Sequence, residues 1–304
     1  MVKNTFFDSR KCCPLCFSRK VKVIFSKKFE DIRTKEFFKT HLNTKFPMRI
    51  LSNRFYEISE CEKCHFIFQK NILNKKYNYK FYNDYIDHKD ALSKNIFKWN
   101  SEIDLINRIF RNKNIRILEY GAGLGAWVKS IKSNGYKNIS AVEISKIRRK
   151  YLTKFNIKSS GKLKNFNKKF DLIYSDQTFE HLTEPGKVIN NLSKLLKNNG
   201  YIIFKIPSGI SFKNKLDDNY FAQKDEATPL EHINIFTKSS INYIKKKFKL
   251  TNVKSYSFYK IYERKFYKNL ASFLYHKYSG KNFILQKKNK KIIKSNEKNL
   301  FLFL

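Results

Sequence analysis

Acidic residues are scarce in this 304-residue chain: 25 Asp and Glu stand against 64 Lys and Arg, a formal net charge of +39. Low-complexity tracts are absent, and with 41% hydrophobic and 16% aromatic residues that excludes intrinsic disorder. No run approaches the roughly eighteen consecutive apolar residues of a membrane-spanning helix. The opening MVKNTFFDSR has no apolar core of the kind a secretion signal needs, so a cytoplasmic location is expected. Arginine is sparse too, at 11 against 53 lysines. Nucleic-acid readers favour Arg, whose fork fits phosphate and guanine. Lys, Asn, Ile, Phe and Tyr share codons rich in A and T, so base composition accounts for the excess charge. Nucleic acid is an admissible partner, but not the favoured one. The basic run at 287–291 reads as a solvated face.

Cysteine is missing after residue 64, and its confinement to the start divides the chain. Cys13-Pro-Leu-Cys16 and Cys61-Glu-Lys-Cys64 are two C-x-x-C pairs, with Cys12 left over. In a reducing compartment such paired units read as a structural zinc site of four thiolates, Cys13, Cys16, Cys61 and Cys64. Cys61-x-x-Cys64-His65 is also the attachment pattern of c-type haem, which the second pair and the missing export signal set aside. His65 is expected beside the knuckle rather than on the metal. A lone His41 and the alternating Arg54-Phe55-Tyr56-Glu57-Ile58 lie between the pairs, suggesting short strands in a zinc-ribbon-like module over 1–75.

Beyond a helical linker region, 76–114, the pattern changes. Ile103, Ile106, Ile109 and Phe110 repeat at helical spacing over 100–111. Strands are expected at 115–120, 138–143, 156–159, 170–175 and 201–206, with helices at 124–134, 145–155 and 185–196. Such alternation predicts an α/β, Rossmann-like doubly wound sheet, mostly parallel. A helix at 238–247, a strand within 250–259, a polar helical stretch and a strand at 299–304 complete the chain, the late strands forming an antiparallel closing edge. The third domain is then 115–304.

Where the first strand turns into the first helix the chain reads Glu119-Tyr-Gly121-Ala122-Gly123-Leu-Gly125. Glycines there let backbone pass close to a ligand, and the helix start favours an anionic group. Read as G-x-G-x-x-A the loop also suits a dinucleotide, leaving an NADP-dependent oxidoreductase as one alternative. Two carboxylates narrow the choice. Glu119 places negative charge where pyrophosphate has no use for it but an ammonium does. Glu143 ends the second strand, placed to accept both ribose hydroxyls. An amino acid at one end and adenosine at the other is the layout of S-adenosylmethionine (SAM).

Residues 115–206 resemble the SAM-binding core of class I methyltransferases. The resemblance rests on the E-x-G-x-G-x-G loop, on Glu143, on Phe170-Asp-Leu-Ile-Tyr-Ser175 and on the following Asp176-Gln-Thr-Phe-Glu180-His181-Leu-Thr-Glu-Pro185. The paired cysteines ahead of that core, and Leu230-Glu231-His232-Ile-Asn-Ile-Phe236-Thr-Lys-Ser-Ser240 after it, are similar to bacterial methyltransferases acting on sugar nucleotides and glycan precursors. That likeness implies a small-molecule acceptor, with a nucleotide-linked sugar as partner. Pro229 and Leu230 stand where the sugar C-methyltransferases usually carry Tyr and His, which argues against carbon methylation of a keto-sugar.

Cofactor contacts are expected from Glu119, Gly121, Ala122, Gly123, Gly125 and Glu143, with Asp176 and Gln177 lining the methionine end. A base is needed only for a hydroxyl or acidic C–H acceptor. Glu231 and His232 are the candidate pair, the imidazole taking the proton; alternatively His232 supports the loop before the helix at 238–247. His181 is a further candidate, or part of a structural turn into the helix at 185–196. Asp171 reads as structural. Two other functions stay open: an RNA methyltransferase gripping phosphate with its lysines, and a zinc-binding scaffold without transfer activity.

Overall fold

The computed structural model of the chain describes residues 6–42, 46–85, 100–217, 219–252 and 281–287. Its strands are β1 (Phe7–Ser9), β2 (Val21–Lys28), β3 (Phe55–Cys61), β4 (Ile67–Gln69), β5 (Asn71–Leu73), β6 (Ile117–Tyr120), β7 (Ile139–Val142), β8 (Lys158–Ser160), β9 (Phe170–Asp176), β10 (Leu196–Ile206), β11 (Asn234–Ile235), β12 (Leu250–Asn252) and β13 (Lys281–Lys287). Its helices are α1 (Ile32–His41), α2 (Lys75–Lys80), α3 (Asn100–Ile109), α4 (Ala126–Ser133), α5 (Lys146–Lys154), α6 (Pro185–Leu195) and α7 (Lys238–Phe248). Two compact units result. One gathers Met1–Lys89, Phe179–Lys187 and Pro207–Tyr243; the other gathers Asp90–Thr178, Val188–Ile206 and Ile244–Leu304. The first unit therefore takes in two segments that the sequence boundaries at 75 and 114 place with the C-terminal domain.

The second unit is built on a seven-stranded sheet in the order β12-β13-β10-β9-β6-β7-β8. Strands β10, β9, β6, β7 and β8 run parallel, and β13 and β12 close one edge antiparallel. Ile117 and Leu118 of β6, and Leu172 and Ile173 of β9, are fully buried, as expected where both faces of a parallel sheet are covered. Ile106 of α3, Val128 and Ile131 of α4 and Leu152 of α5 pack with Ile117, Ala141, Leu172 and Tyr174 in one apolar cluster. The chain winds outward from β6 through β7 to β8, then returns to add β9 and β10 on the other side. Strand order thus reverses between β6 and β9, where such sheets bind ligands beyond the strands' carboxyl ends.

Two details depart from the sequence pattern. The stretch after 259 expected to be polar helix contains β13, whose short apolar run Phe283-Ile284-Leu285 is diluted by flanking Lys, Asn and Gln. Its backbone supplies the closing strand between β10 and β12, while the strand expected at 299–304 and the basic run beyond 287 lie outside the described residues. The strand expected at 201–206 begins earlier, at Leu196, with a register shift against β9 between Leu196 and Tyr201 and with Asn199 at φ +62°.

In the first unit the antiparallel sheet β11-β4-β3-β2 stands beside the two-stranded pair β1–β5. Asp31 caps α1, accepting from the backbone of Arg33 and Thr34 at 3.2 and 3.3 Å, which satisfies donors that the first turn cannot. Behind this sheet Phe29, Phe38, Tyr56, Ile58, Ile67 and Phe212 share one apolar cluster. Aromatic rings close to one another, such as Phe29 and Phe38 with centroids 5.8 Å apart, fill much of the space behind this four-stranded sheet.

Candidate active site

The glycine loop leaves β6 at the sheet's switch point. The Gly121 and Ala122 amides donate to the Val142 carbonyl at 2.8 and 3.1 Å, folding the loop back onto β7. Gly121 sits at φ +83°, and a Cβ there would lie 2.2 Å from Thr178 Oγ1, so only glycine fits. Gly123, at φ +55°, faces open space: a Cβ would meet nothing within 4 Å. Gly125, at φ +83°, begins α4 without a side-chain cap.

Both acids of this region are buried. Glu143 Oε2 accepts from Gly123 N at 2.8 Å and Oε1 from Ser145 N at 2.8 Å. Each oxygen keeps a second lone pair, so the carboxylate holds the loop and still has capacity for two hydroxyls. Glu119 receives a hydrogen bond from the Val128 backbone in the first turn of α4, but its Oε2 has no hydrogen-bond partner among the described residues. Burial, then Asp176 and Glu143, push its carboxyl well above the usual range. A buried acceptor of this kind, close to the acids Asp176 and Glu143, fits a cationic ammonium. The residues present therefore fit SAM.

Asp176 ends β9 at the same edge. Lys205 of β10 lies 3.6 Å from Asp176 Oδ2 and bonds Glu102 of α3 directly. Burial works against the lysine's charge, yet Asp176 and Glu102 outweigh it and hold the ammonium above its usual pKa. Gln177 adopts φ +47°, and its amide donates to the Lys205 carbonyl at 2.9 Å. Trp127 stacks on Tyr174 with centroids 3.8 Å apart, packing α4 onto the sheet. Asp171 is structural, accepting from Arg116 N at 2.8 Å and pairing with Lys197 at 2.7 Å.

In the first unit the four expected cysteines converge. Cys13 Sγ lies 3.6 Å from Cys64 Sγ and Cys16 Sγ 3.5 Å from Cys61 Sγ, all four sulfurs falling within 4.8 Å of one another. These separations exclude disulfides and approach the roughly 3.8 Å edge of a tetrahedron with zinc–sulfur bonds of about 2.3 Å. The two knuckles repeat one geometry. Phe17 and His65 follow the second cysteine of each pair at φ +64° and +53°. Their amides return to the carbonyls of Cys13 and Cys61 at 2.9 and 2.8 Å. A hydrogen bond from Cys64 holds Cys13 down at about 6, while burial raises Cys16 to about 11. Four such thiols do not all ionise without a cation among them, so the donor set fits a metal ion. His65 is exposed and points to Glu60, 3.3 Å away, rather than to the sulfurs.

The same unit gathers the expected catalytic residues. His181 Nδ1 lies 2.8 Å from the main-chain oxygen of Glu231 and 2.9 Å from the Tyr82 hydroxyl, which also donates to that oxygen at 3.0 Å. His232 Nδ1 donates to the Asp225 carbonyl at 2.6 Å. The two imidazole centroids are 5.1 Å apart. Burial, then His232, lowers His181 to about 4, and burial lowers His232 as well. Glu231 is itself buried, which raises its pKa, but the His41 hydrogen bond and neighbouring imidazoles bring it to about 2. At neutral pH the group is therefore two uncharged imidazoles beside an ionised carboxylate, able to accept protons. Glu180, His181 and His232 also bring ligand-type atoms within 4.8 Å of one another.

A family described as "Methyltransferase domain" matches residues 95–255, more than half of the chain. The chain belongs to this methyltransferase family. Its activity is SAM-dependent methyl transfer, and the oxidoreductase and non-catalytic readings fall away. Similar solved structures include a plantazolicin methyltransferase in complex with SAH, 15% identical, covering 70% of this chain and 94% of that one at a TM-score of 0.45. A SAM-dependent methyltransferase from Clostridium acetobutylicum is 15% identical, with 70% and 98% covered and a TM-score of 0.44. A cyclopropane synthase from Mycobacterium tuberculosis is 16% identical, with 62% and 83% covered and a TM-score of 0.44. Among curated proteins none matches. No helix of the described residues is long and apolar enough to cross a membrane.

Several residues of these sites carried only faint sequence signals. Lys205 interrupts the apolar strand Tyr201-Ile-Ile-Phe-Lys205-Ile206, and Glu102 stands beside the apolar face of α3. Gln69 and Asn234 are amides in apolar strands. Tyr82 and His41 had no local pattern to mark them as partners of the EH segments.

Proposed function

We propose that this methyltransferase acts on a small-molecule acceptor, a sugar nucleotide or glycan precursor, in the cytoplasm. The observation that carries the cofactor half of this reading is the buried Glu119 Oε2, without a hydrogen-bond partner among the described residues, on the strand that leads into the loop of the open Gly123. Glu119 would hold the ammonium of the methionine end and Glu143 the ribose hydroxyls. Gly121, Ala122, Gly123 and Gly125 would line the path between them, with Asp176 and Gln177 at the methionine end. The bound cofactor supplies an electrophilic methyl group on a sulfonium.

For a hydroxyl acceptor, a proton must leave as the oxygen–methyl bond forms. His232 or His181 would receive it on an Nε2 lone pair, and the ionised Glu231 would stabilise the resulting imidazolium. Low intrinsic pKa values keep both nitrogens unprotonated and available at neutral pH. The absence of a base-binding N/D-P-P-Y loop after β9, where the chain reads Ser175-Asp-Gln-Thr178, supports a small acceptor over base amino groups of RNA. Cys13, Cys16, Cys61 and Cys64 would carry structural zinc in the zinc-ribbon-like module of 1–75.

Incubation with methyl-labelled SAM and a host extract, followed by separation of small molecules, RNA and protein, tests the reading. Label in the small-molecule fraction, lost with Glu143→Ala, is expected. Label in RNA would overturn the acceptor class and make the lysine excess functional.

A further inference from the structure

Two buried amide side chains stand behind the histidines. Gln69, at the end of β4, has no solvent exposure. Its Nε2 lies 3.2, 2.9 and 3.0 Å from the carbonyls of Ala227, Thr228 and His232, and its Oε1 accepts from Leu230 N at 3.0 Å. This orientation is forced: carbonyls only accept, and the Leu230 amide only donates. Asn234 of the adjoining strand β11 is also buried. Its Nδ2 donates to the carbonyls of Phe179 and Leu182 at 2.9 and 2.6 Å, and its Oδ1 accepts from Arg10 at 3.0 Å.

The segments they hold are those that carry the candidate chemistry. Gln69 clamps 227–232, with Glu231 and His232; Asn234 clamps 179–182, with Glu180 and His181. Two backbone carbonyls meet the imidazoles: Glu231 O, inside the clamped loop, for His181, and Asp225 O, two residues ahead of it, for His232. A carbonyl at Nδ1 selects the tautomer protonated there and leaves the lone pair on Nε2. Gln69 shares its two N–H donors among three carbonyls of this loop and accepts from a fourth backbone group, and Leu230 is held at φ +66°, a conformation unfavourable for leucine.

We propose that Gln69 and Asn234 are positioning residues that fix His181 and His232 as Nδ1–H tautomers, presenting two Nε2 lone pairs for proton acceptance. The proposal rests on the reading that these imidazoles handle the acceptor's proton. It implies that the group facing them donates a hydrogen bond, as a hydroxyl does, since neither Nε2 carries a proton; the carboxylate nearest His181 Nε2, Glu180 Oε1, lies 3.8 Å away, beyond hydrogen-bond distance.

The test is the two-bond nitrogen–proton NMR spectrum of full-length protein labelled with ¹⁵N-histidine. There are only 6 histidines, and His181→Gln and His232→Gln identify the two resonances. In the wild type both rings are expected to be protonated on Nδ1. Gln69→Glu keeps the size and the acceptor but loses the donors; Asn234→Asp does the same on the other segment. Each is expected to shift its imidazole toward a mixed tautomer and to slow labelled methyl transfer by roughly tenfold or more, with SAM affinity unchanged. Wild-type rings protonated on Nε2 would overturn the proposal whether or not the variants fold, as would variants with unchanged tautomers. Failure of the wild type to transfer methyl with the tautomers as expected would count against the proton-transfer reading alone.

Discussion

His41 Nε2 lies 2.8 Å from Glu231 Oε2, joining the end of α1 to the loop that carries His232. Both side chains are largely buried, at 17% and 19% exposure, so the pair is screened less than a surface ion pair. Burial alone would push Glu231 upward; the His41 bond and the nearby imidazoles reverse that and hold it at about 2. Glu231 is thus kept ionised beside two histidines that are kept neutral. That division of charge is what a proton acceptor and its stabilising anion require.

Removing His41 should therefore release Glu231. The folded pKa lies below the unfolded one, so the contribution to stability is fully present above about pH 4.5 and is lost as pH falls toward about 2. In His41→Ala the acid limb of the stability curve is expected to move to higher pH, and unfolding at pH 7 to become easier by about 1–3 kcal/mol. Urea unfolding at a series of pH values measures both. An unchanged acid limb would mean that the other groups, not His41, hold Glu231.

His181 gives a separate pH signature. Its folded pKa of about 4 lies below the usual 6.5, so the neutral ring stabilises the fold above pH 6.5 and loses that contribution as pH falls through the interval to 4. His232 shifts in the same direction. Asp225 opposes them: burial raises it to about 6, so it favours the fold below pH 3.8 and loses that advantage as pH rises through 6. The difference between wild type and His181→Asn isolates one ring. Between pH 6.5 and 4 the variant should show a shallower fall in stability by close to one proton. Identical slopes would place His181 in a more solvated setting.

Glu119 separates binding from folding. A neutral amide at 119 relieves the cost of a buried, partly unpartnered carboxylate but removes the negative charge proposed to meet an ammonium. Glu119→Gln should leave the melting temperature equal or higher while weakening SAM at least tenfold by calorimetry. Undiminished affinity would take the ammonium contact away from Glu119.

The parts of this molecule legible in the sequence are those whose signal is local. The Gly121–Gly125 loop, Glu119 and Glu143 lie within a single strand–loop–helix–strand unit, and each cysteine pair makes its own knuckle. The parallel sheet followed from apolar strands alternating with helices. Other features arise only when distant segments meet. Gln69 contacts a loop some 160 positions later, and His41 meets Glu231 across 190 positions. Nothing near either residue in sequence marks that partner. The inclusion of 179–187 and 207–243 in the first unit is likewise set by pairing, as in β11 with β4, rather than by composition. β13 was obscured by its polar and lysine-rich surroundings, which resemble the solvated helices elsewhere in this basic chain.

The cysteine cluster should matter to the histidines as well as to its own module. Pro14, inside the first knuckle, accepts from Gly186 N at 3.1 Å, and a Cβ at Gly186 would lie 2.2 Å from the Leu15 carbonyl. Gly186 thus presses the segment of His181 against the knuckle backbone. Arg10, three residues before Cys13, reaches the carbonyls of Leu182 and Thr183 at 3.3 and 3.2 Å. If Cys13, Cys16, Cys61 and Cys64 hold zinc, its loss frees the knuckle and, through these contacts, the turn that carries His181. Elemental analysis should find one equivalent of zinc in wild type and none in Cys13→Ser or Cys61→Ser; a second equivalent would point to Glu180, His181 and His232, the other cluster of ligand-type atoms among the described residues. The variants should be cleaved faster by protease within 1–70 and should lose methyl transfer, while SAM affinity, built by Glu119, Glu143 and the glycine loop, stays intact. A metal-free wild type of full stability would remove the zinc reading. Variants that lose SAM binding as strongly as turnover would show that the knuckle supports the cofactor cradle rather than the histidine segment.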